Sequence, residues 1–253
     1  MFYKYKKMKG KIWKIIAGLL LISLCAYVIG DLVFWGVKTH RWENWTVREK
    51  AIVYFAKAPM RVLTINHRGD SLRLRRNSLD LSDKMLESKQ YEKLCKLLLA
   101  TVQDPSQDGV GIAGPQVGIS RRIVAVQRFD KPGEPFEVYP NIRISGVNLG
   151  KDPVLLPGGV PDLNAAMEPG PEGCLSVPGL RGDVMRYRDI EISYTLVGPT
   201  ASADGQPDAS LAIRDTTERV QGFTAVIFQH ECDHLDGVLY IDKVIPGTLR
   251  ESD

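Results

Sequence analysis

Two apolar periods and one long apolar run organise this chain. Six lysines (Lys4, Lys6, Lys7, Lys9, Lys11 and Lys14) precede an uncharged stretch from Ile15 to Gly30, which Asp31 interrupts and Leu32 to Val37 resume. The run from 15 to 37 holds twenty-three residues, against the ~20 that a helix needs to cross the hydrocarbon layer. A charge so near one end can rest at the interface, where it costs little. Trp13 on one side and Trp35, Trp42 and Trp45 on the other read as interfacial aromatic belts. No small-x-small cleavage pattern follows, and Leu24 before Cys25 is a poor lipoprotein signal, so the pattern favours an uncleaved anchor over a cleaved leader. The lysines before the run direct the rest of the chain across the membrane, but Lys38, Arg41, Arg48 and Lys50 behind it weaken that bias. Residues 1–57 are therefore expected to form a basic anchor and linker, and 58–253 one compact domain.

Within that domain, Asp70 to Leu81 reads as a turn and an irregular basic segment. Met85, Leu86, Leu94, Leu97 and Leu98 form an apolar stripe that predicts one helix over 82–102, capped by Ser82 and stopped by Asp104-Pro105. Ile123 to Gln127 predicts a buried strand, Phe136 to Ile144 a strand broken at Pro140, and Asp189 to Val197 an alternating strand. Residues 147–171, rich in Pro, Gly and Asn, read as a long surface excursion. Thr216 to Leu235 predicts a second helix. Strands around two helices without regular alternation indicate an α+β class.

Charge sharpens the division. The whole chain carries a formal +3, yet residues 1–57 hold eleven Lys or Arg against three acids, leaving the remainder at −5. A domain with that balance has no electrostatic footprint for nucleic acid. Four cysteines in 253 residues exclude a disulfide-dense scaffold, and 44% hydrophobic residues exclude a largely disordered chain.

Candidate chemistry lies in three short stretches. QHECDHLD (229–236) contains His230, Glu231 and His234 as His-Glu-x-x-His. Residues four apart on a helix share a face, so two imidazoles can converge on one metal while Glu231 reaches a water beside it. Phe223, Val226 and Ile227 lie on that same face. A metallopeptidase of the usual kind would add a downstream His or Glu ligand, but the chain has no later histidine and only Glu251. Cys174, in EGCLSVP (172–178), offers a soft anionic ligand; on spacing alone it is equally readable as a small buried side chain. GVGIAGPQVGI (109–119) places glycines where backbone approaches something closely. It lacks either nucleotide-loop signature, and its Gln116 amide could donate to a developing oxyanion.

In this order the three stretches resemble the peptide deformylases, whose pattern is Gly-x-Gly-x-Ala-Ala-x-Gln, then Glu-Gly-Cys-Leu-Ser, then Gln-His-Glu-x-Asp-His. Here they stand as GVGIAGPQ, EGCLS and QHECDH, and the similarity covers about residues 60 to 246. The resemblance implies mixed or antiparallel strands around a central metal-binding helix, here preceded by one transmembrane helix. It implies a hydrolase of protein biosynthesis and N-terminal methionine processing, which releases formate from formylmethionyl polypeptides, including ribosome-associated nascent chains. Cys174, His230 and His234 would hold one divalent ion with water in the fourth position; the family commonly uses Fe(II), with Zn(II) or Ni(II) also supported. Glu231 would move the proton, and Gln116 with the backbone N–H of Leu175 would stabilise the oxyanion. Val110, Phe223, Val226 and Ile227 would line the methionine pocket, although Phe223 and Val226 are equally readable as core. Backbone of Gly109, Gly111 and Gly173 would meet the extended peptide, and Arg181 would brace the Cys174 loop by ion pairing.

Three features depart from the family: Gly114-Pro115 in the loop, the long excursion over 147–170, and the anchor. They open two alternatives, an amidohydrolase acting on another N-acyl substrate and a membrane-tethered, non-catalytic metal-binding relative. They also set a topological conflict, because formylated chains emerge in the cytoplasm while the lysine-first anchor points the domain outward.

Overall fold

The computed structural model describes residues 43–107, 109–201 and 207–252. The run 15–37, its six lysines, and Trp13, Trp35 and Trp42 lie outside them. Among the described residues no helix is long and apolar enough to cross a membrane. Trp45 is not part of an aromatic belt. It is 7% exposed, and its indole Nε1 donates to Ser88 Oγ at 3.0 Å.

Among the described residues four helices precede the first strand: α1 (Val47–Phe55), α2 (Arg68–Leu74), α3 (Asp83–Leu86) and α4 (Lys89–Val102). Residues 43–253 form one compact unit, and α1, which falls within the segment expected to be linker, belongs to it. Thr46 caps α1 by accepting from the Glu49 backbone N–H at 3.2 Å, and Glu49 Oε2 accepts from the Thr46 N–H at 2.8 Å. The same carboxylate faces inward, pairing Arg121 at 2.9 Å with both side chains almost fully buried. Arg121 also donates to the carbonyls of Asn44 and Asp80.

Two other helical expectations change. Asp70 to Leu74 is helical, because buried Asp70 pairs with Arg61 and Leu74 is fully buried. The single helix expected over 82–102 divides at Ser88. Ser82 caps the first piece through the Met85 N–H, as anticipated, but Ser88 Oγ bonds the Met85 carbonyl and caps the second through the Tyr91 N–H.

The described strands form three antiparallel sheets of three. The first joins β1 (Gly111–Ala113), β2 (Ile123–Gln127) and β3 (Phe136–Pro140); the second joins β4 (Arg143–Val147), β7 (Asp189–Ala201) and β8 (Pro207–Gln221). The third joins β5 (Met167–Cys174), β6 (Val177–Tyr187) and β9 (Arg250–Glu251). The sheets are thus antiparallel rather than mixed. Residues 216–221, expected to be helical, complete β8: Thr216 pairs with Tyr194 and Val220 with Ile190. Their β-branched side chains suit the pleat, and Gly222, at φ +66°, turns the chain into α5 (Gly222–Leu235).

Helix α5 runs through the middle. Ala225, Phe228 and Leu235 pack with Tyr139, Ile190, Ile192 and Val220 from the first two sheets. Burying a Phe such as Phe228 stabilises by about 2–3 kcal/mol. A second core lies under α4, where Leu94, Leu98 and Val102 meet Ile112, Ile123 and Ala125. The excursion expected over 147–171 ends earlier, because Met167 to Pro171 pair with β6 as part of β5; before that point it carries a small hairpin, closed by Leu156 N–H to Val160 O at 2.8 Å and Asp162 N–H to Val154 O at 2.7 Å.

Candidate metal centre

The third sheet, the β1 loop and one face of α5 enclose a cavity of about 520 Å³. Gln229 fixes the helix against the sheet. Its Oε1 accepts from the Tyr187 N–H at 3.1 Å, and its Nε2 donates to the Tyr187 carbonyl at 2.8 Å. From the same helix, His230, Glu231 and His234 project toward Cys174, which a kink in register between Gly173 and Cys174 turns inward. One ligand atom from each of Cys174, His230 and His234 lies within 4.8 Å of the others. Cys174 Sγ is 3.1 Å from His234 Nε2.

Charge is arranged to suit a cation. Burial opposes ionisation of Cys174, but the two histidines override it and hold the thiol well below its ordinary pKa. Burial likewise opposes ionisation of Glu172, yet His230 and Arg186 bring its carboxyl down to about 2. Glu172 Oε2 lies 2.8 Å from His230 Nδ1, leaving the other ring nitrogen for the cavity. Arg186 clamps Glu172 at 2.7 and 3.1 Å and reaches Asp233 at 2.7 Å. Glu231 is the opposite case: burial pushes it up to about 7, against the pull of both histidines. Its Oε2 is buried with no hydrogen-bond partner among the described residues. A soft thiolate, two imidazoles and an unpartnered carboxylate oxygen beside them fit a divalent ion and a water at its open position.

Gln116 sits on the 3₁₀ turn Gly114–Val117. Its Oε1 accepts from the Ala113 N–H at 2.7 Å, which aims Nε2 at Ser176 Oγ, 3.2 Å away, and toward Cys174 Sγ at 3.7 Å. Pro115 takes the start of this turn, where a missing N–H costs nothing. A Cβ on Gly114 would come within 2.8 Å of the carbonyls of Ile119 and Arg121, so glycine suits the local backbone.

Gly109, Val110, Gly111, Gln116, Gly173, Cys174, Leu175, Phe223, Val226, Ile227, His230 and Glu231 all line the cavity. His234 stands behind them at 1% exposure. Phe223, about half exposed, meets Phe129 at 5.4 Å between ring centres and is a rim residue rather than core. Arg181 also lines the cavity, but it is Arg186 that braces the cysteine strand. Glu172 and Ser176, letters of the EGCLS stretch, and Arg186, which follows it and supports the family resemblance, belong to the site through contacts that no sequence pattern assigns them. The hairpin over 147–166 contributes no residue to the wall.

A family model described as polypeptide deformylase matches residues 59–200 and 209–249. The peptide deformylase of Leptospira biflexa is 32% identical over 171 residues, 68% of this chain and 82% of its own length. Among solved structures, a peptide deformylase from Thermotoga maritima is similar with a TM-score of 0.52 at 25% identity, covering 75% of this chain and 100% of its own. A class I type b peptide deformylase from Acinetobacter baumannii, bound to Met-Ala-Ser, is similar with a TM-score of 0.51 at 28% identity, over 75% and 100% of the two chains.

Proposed function

The chain belongs to the peptide deformylase family, and on that premise we propose how its residues carry out the family's reaction, hydrolysis of the N-formyl group from an N-terminal formylmethionine. The enzyme is a metal-dependent hydrolase acting on formylmethionyl polypeptides. Our assignment of roles rests on one arrangement: three donor atoms within 4.8 Å of one another beside a buried carboxyl pushed up to about 7.

Cys174, His230 and His234 would hold one divalent ion. Fe(II) is our choice for the cell, with Zn(II) and Ni(II) compatible with the same donors. When bound, such an ion supplies Lewis acidity and brings a coordinated water's pKa to ~7. Glu231 accepts a proton from the attacking water and delivers it to the amide nitrogen as the C–N bond breaks, leaving formate and a free amine. A base near neutrality suits both halves of that transfer. Gln116 Nε2 and the Leu175 N–H donate to the formyl oxygen as its negative charge develops. Val110, Phe223, Val226 and Ile227 receive the methionine side chain, while Gly109, Gly111 and Gly173 leave backbone open to an extended peptide. The A. baumannii relative was solved with Met-Ala-Ser, a peptide of that form.

Neither departure that suggested another acyl substrate disturbs the site. Pro115 begins a turn that keeps Gln116 aimed at Ser176, and the hairpin stays off the cavity wall. We further propose that residues 15–37 anchor the chain in a membrane, with the catalytic unit on the side where nascent chains leave the ribosome.

Formate release from a formyl-Met peptide by the full chain, purified anaerobically with Fe(II), tests the reading beside Glu231→Ala. Turnover by the parent and its loss in the variant support these roles. Acetyl-Met cleavage at a comparable rate, or equal rates for the two chains, would defeat them.

A further inference from the structure

Helix α1 has two faces. Glu49 and Val53, four apart, are buried against the body. On the outer side Val47, Tyr54 and Phe55 are 83%, 73% and 76% exposed, with Ala51 between them also exposed. A charged, solvated helix face is what a free surface would show; this one is apolar at positions i, i+4, i+7 and i+8. A groove of about 460 Å³ runs beside it, and Lys50, Lys89 and Lys93 line it without a single carboxylate. Lys93 holds its ammonium over the Tyr54 ring, Nζ 5.8 Å from the centroid, and donates from it to the Tyr54 carbonyl at 2.8 Å. Lys57 follows the helix, and Arg48 near its start has Arg73, Arg76 and, from the buried side, Glu49 as charged neighbours.

We propose that this face of α1 docks on the anionic headgroups of a bilayer, with Tyr54 and Phe55 at the acyl boundary and Lys50, Lys57 and Lys93 among the phosphates. The inference rests on the anchor reading for its geometry of approach. Val47 follows Val37 by only ten residues, a reach of at most ~35 Å even when fully extended. The chemistry of the patch stands apart from the anchor. Aromatic rings flanked by lysines, with no acid in the groove, match an interface of apolar depth and negative surface charge. A second copy of the chain is the competing occupant, but its patch would set lysines against lysines.

The full chain is mixed with vesicles of phosphatidylcholine alone, with vesicles containing about one quarter phosphatidylglycerol, and with neutral detergent. Alkaline carbonate extraction scores the anchor by itself. Acetylation by a water-soluble reagent, read residue by residue, scores the patch. Lys50, Lys57 and Lys93 should be protected at least about threefold by the anionic vesicles, and Lys131 unchanged. Tyr54→Ser with Phe55→Ser should abolish the protection while deformylation continues at the parent rate, which shows the fold intact. Equal labelling of the three lysines in all three conditions would overturn the proposal, whether or not the chain resists carbonate. Protection that appears in detergent and rises with protein concentration would assign the face to self-association and overturn it as well.

Discussion

Gly111 has no side chain because Glu231 occupies the space where one would be. A Cβ there would lie 2.5 Å from Glu231 Oε1 and 2.8 Å from Ile227 Cγ2. Gly111→Ala should therefore displace the carboxyl and cut kcat by at least about tenfold with metal content unchanged, as measured by turnover beside elemental analysis. Gln116 is held by the Ala113 N–H rather than by packing alone, so Gln116→Ala removes one aimed donor. A fall in kcat/KM of about 10²–10³ is expected, and retained activity would refute its role. Glu172 and Arg186 act one step back, fixing the orientation of His230. Glu172→Gln should lower metal affinity by about 10–100-fold in a competition titration with a chromogenic chelator. At this scale the three donors that lie together were legible, since spacing four apart on a helix and a thiol in a short motif declare themselves. Their supports were not. Glu172 stood in plain view two residues before Cys174, but its bond to His230 spans fifty-eight positions and has no local pattern.

Elements were legible where one period dominates and illegible where tertiary pairing decides. Ile123 to Gln127 is a strand from end to end, as its β-branched run predicts. Ser88 breaks the expected long helix because its hydroxyl serves three partners, the Met85 carbonyl, the Tyr91 N–H and the Trp45 indole. Residues 216–221 pair with β7 instead of extending α5, an outcome set by a neighbouring strand. Helix α1, read as linker, depends on Glu49, which caps its first turn and neutralises Arg121. Glu49→Ala should destabilise the fold by about 3–5 kcal/mol in urea titration, since it removes one member of a buried pair. A loss under about 1 kcal/mol would show the pair to be expendable.

The compact unit from Glu43 onward is stitched by buried arginines that no motif announces. Arg128, 1% exposed, bridges Asp130 and Glu218, each at 2.7 Å, across two sheets. Burial opposes ionisation of both carboxyls, but hydrogen bonds from Arg128 hold each below its ordinary range. Depressed carboxyls contribute stability that is complete above their unfolded pKa and lost as pH falls through the folded one. Stability should therefore decline from about pH 4 downward. Arg128→Met should be less stable at neutral pH and lose less between about pH 4 and 2, in urea titrations across that range. Chelation of the metal should lower Tm as well, because an ion that binds only the folded state stabilises it by mass action.

The Glu49–Arg121 pair also determines where the chain can be cut. A protease that nicks between residues 37 and 43 would leave Trp45, Thr46 and Glu49 in place within the compact unit that begins at Glu43. A nick between residues 49 and 58 would carry off the carboxylate and leave the Arg121 guanidinium buried without it. The first cleavage leaves the fold whole; the second undoes it.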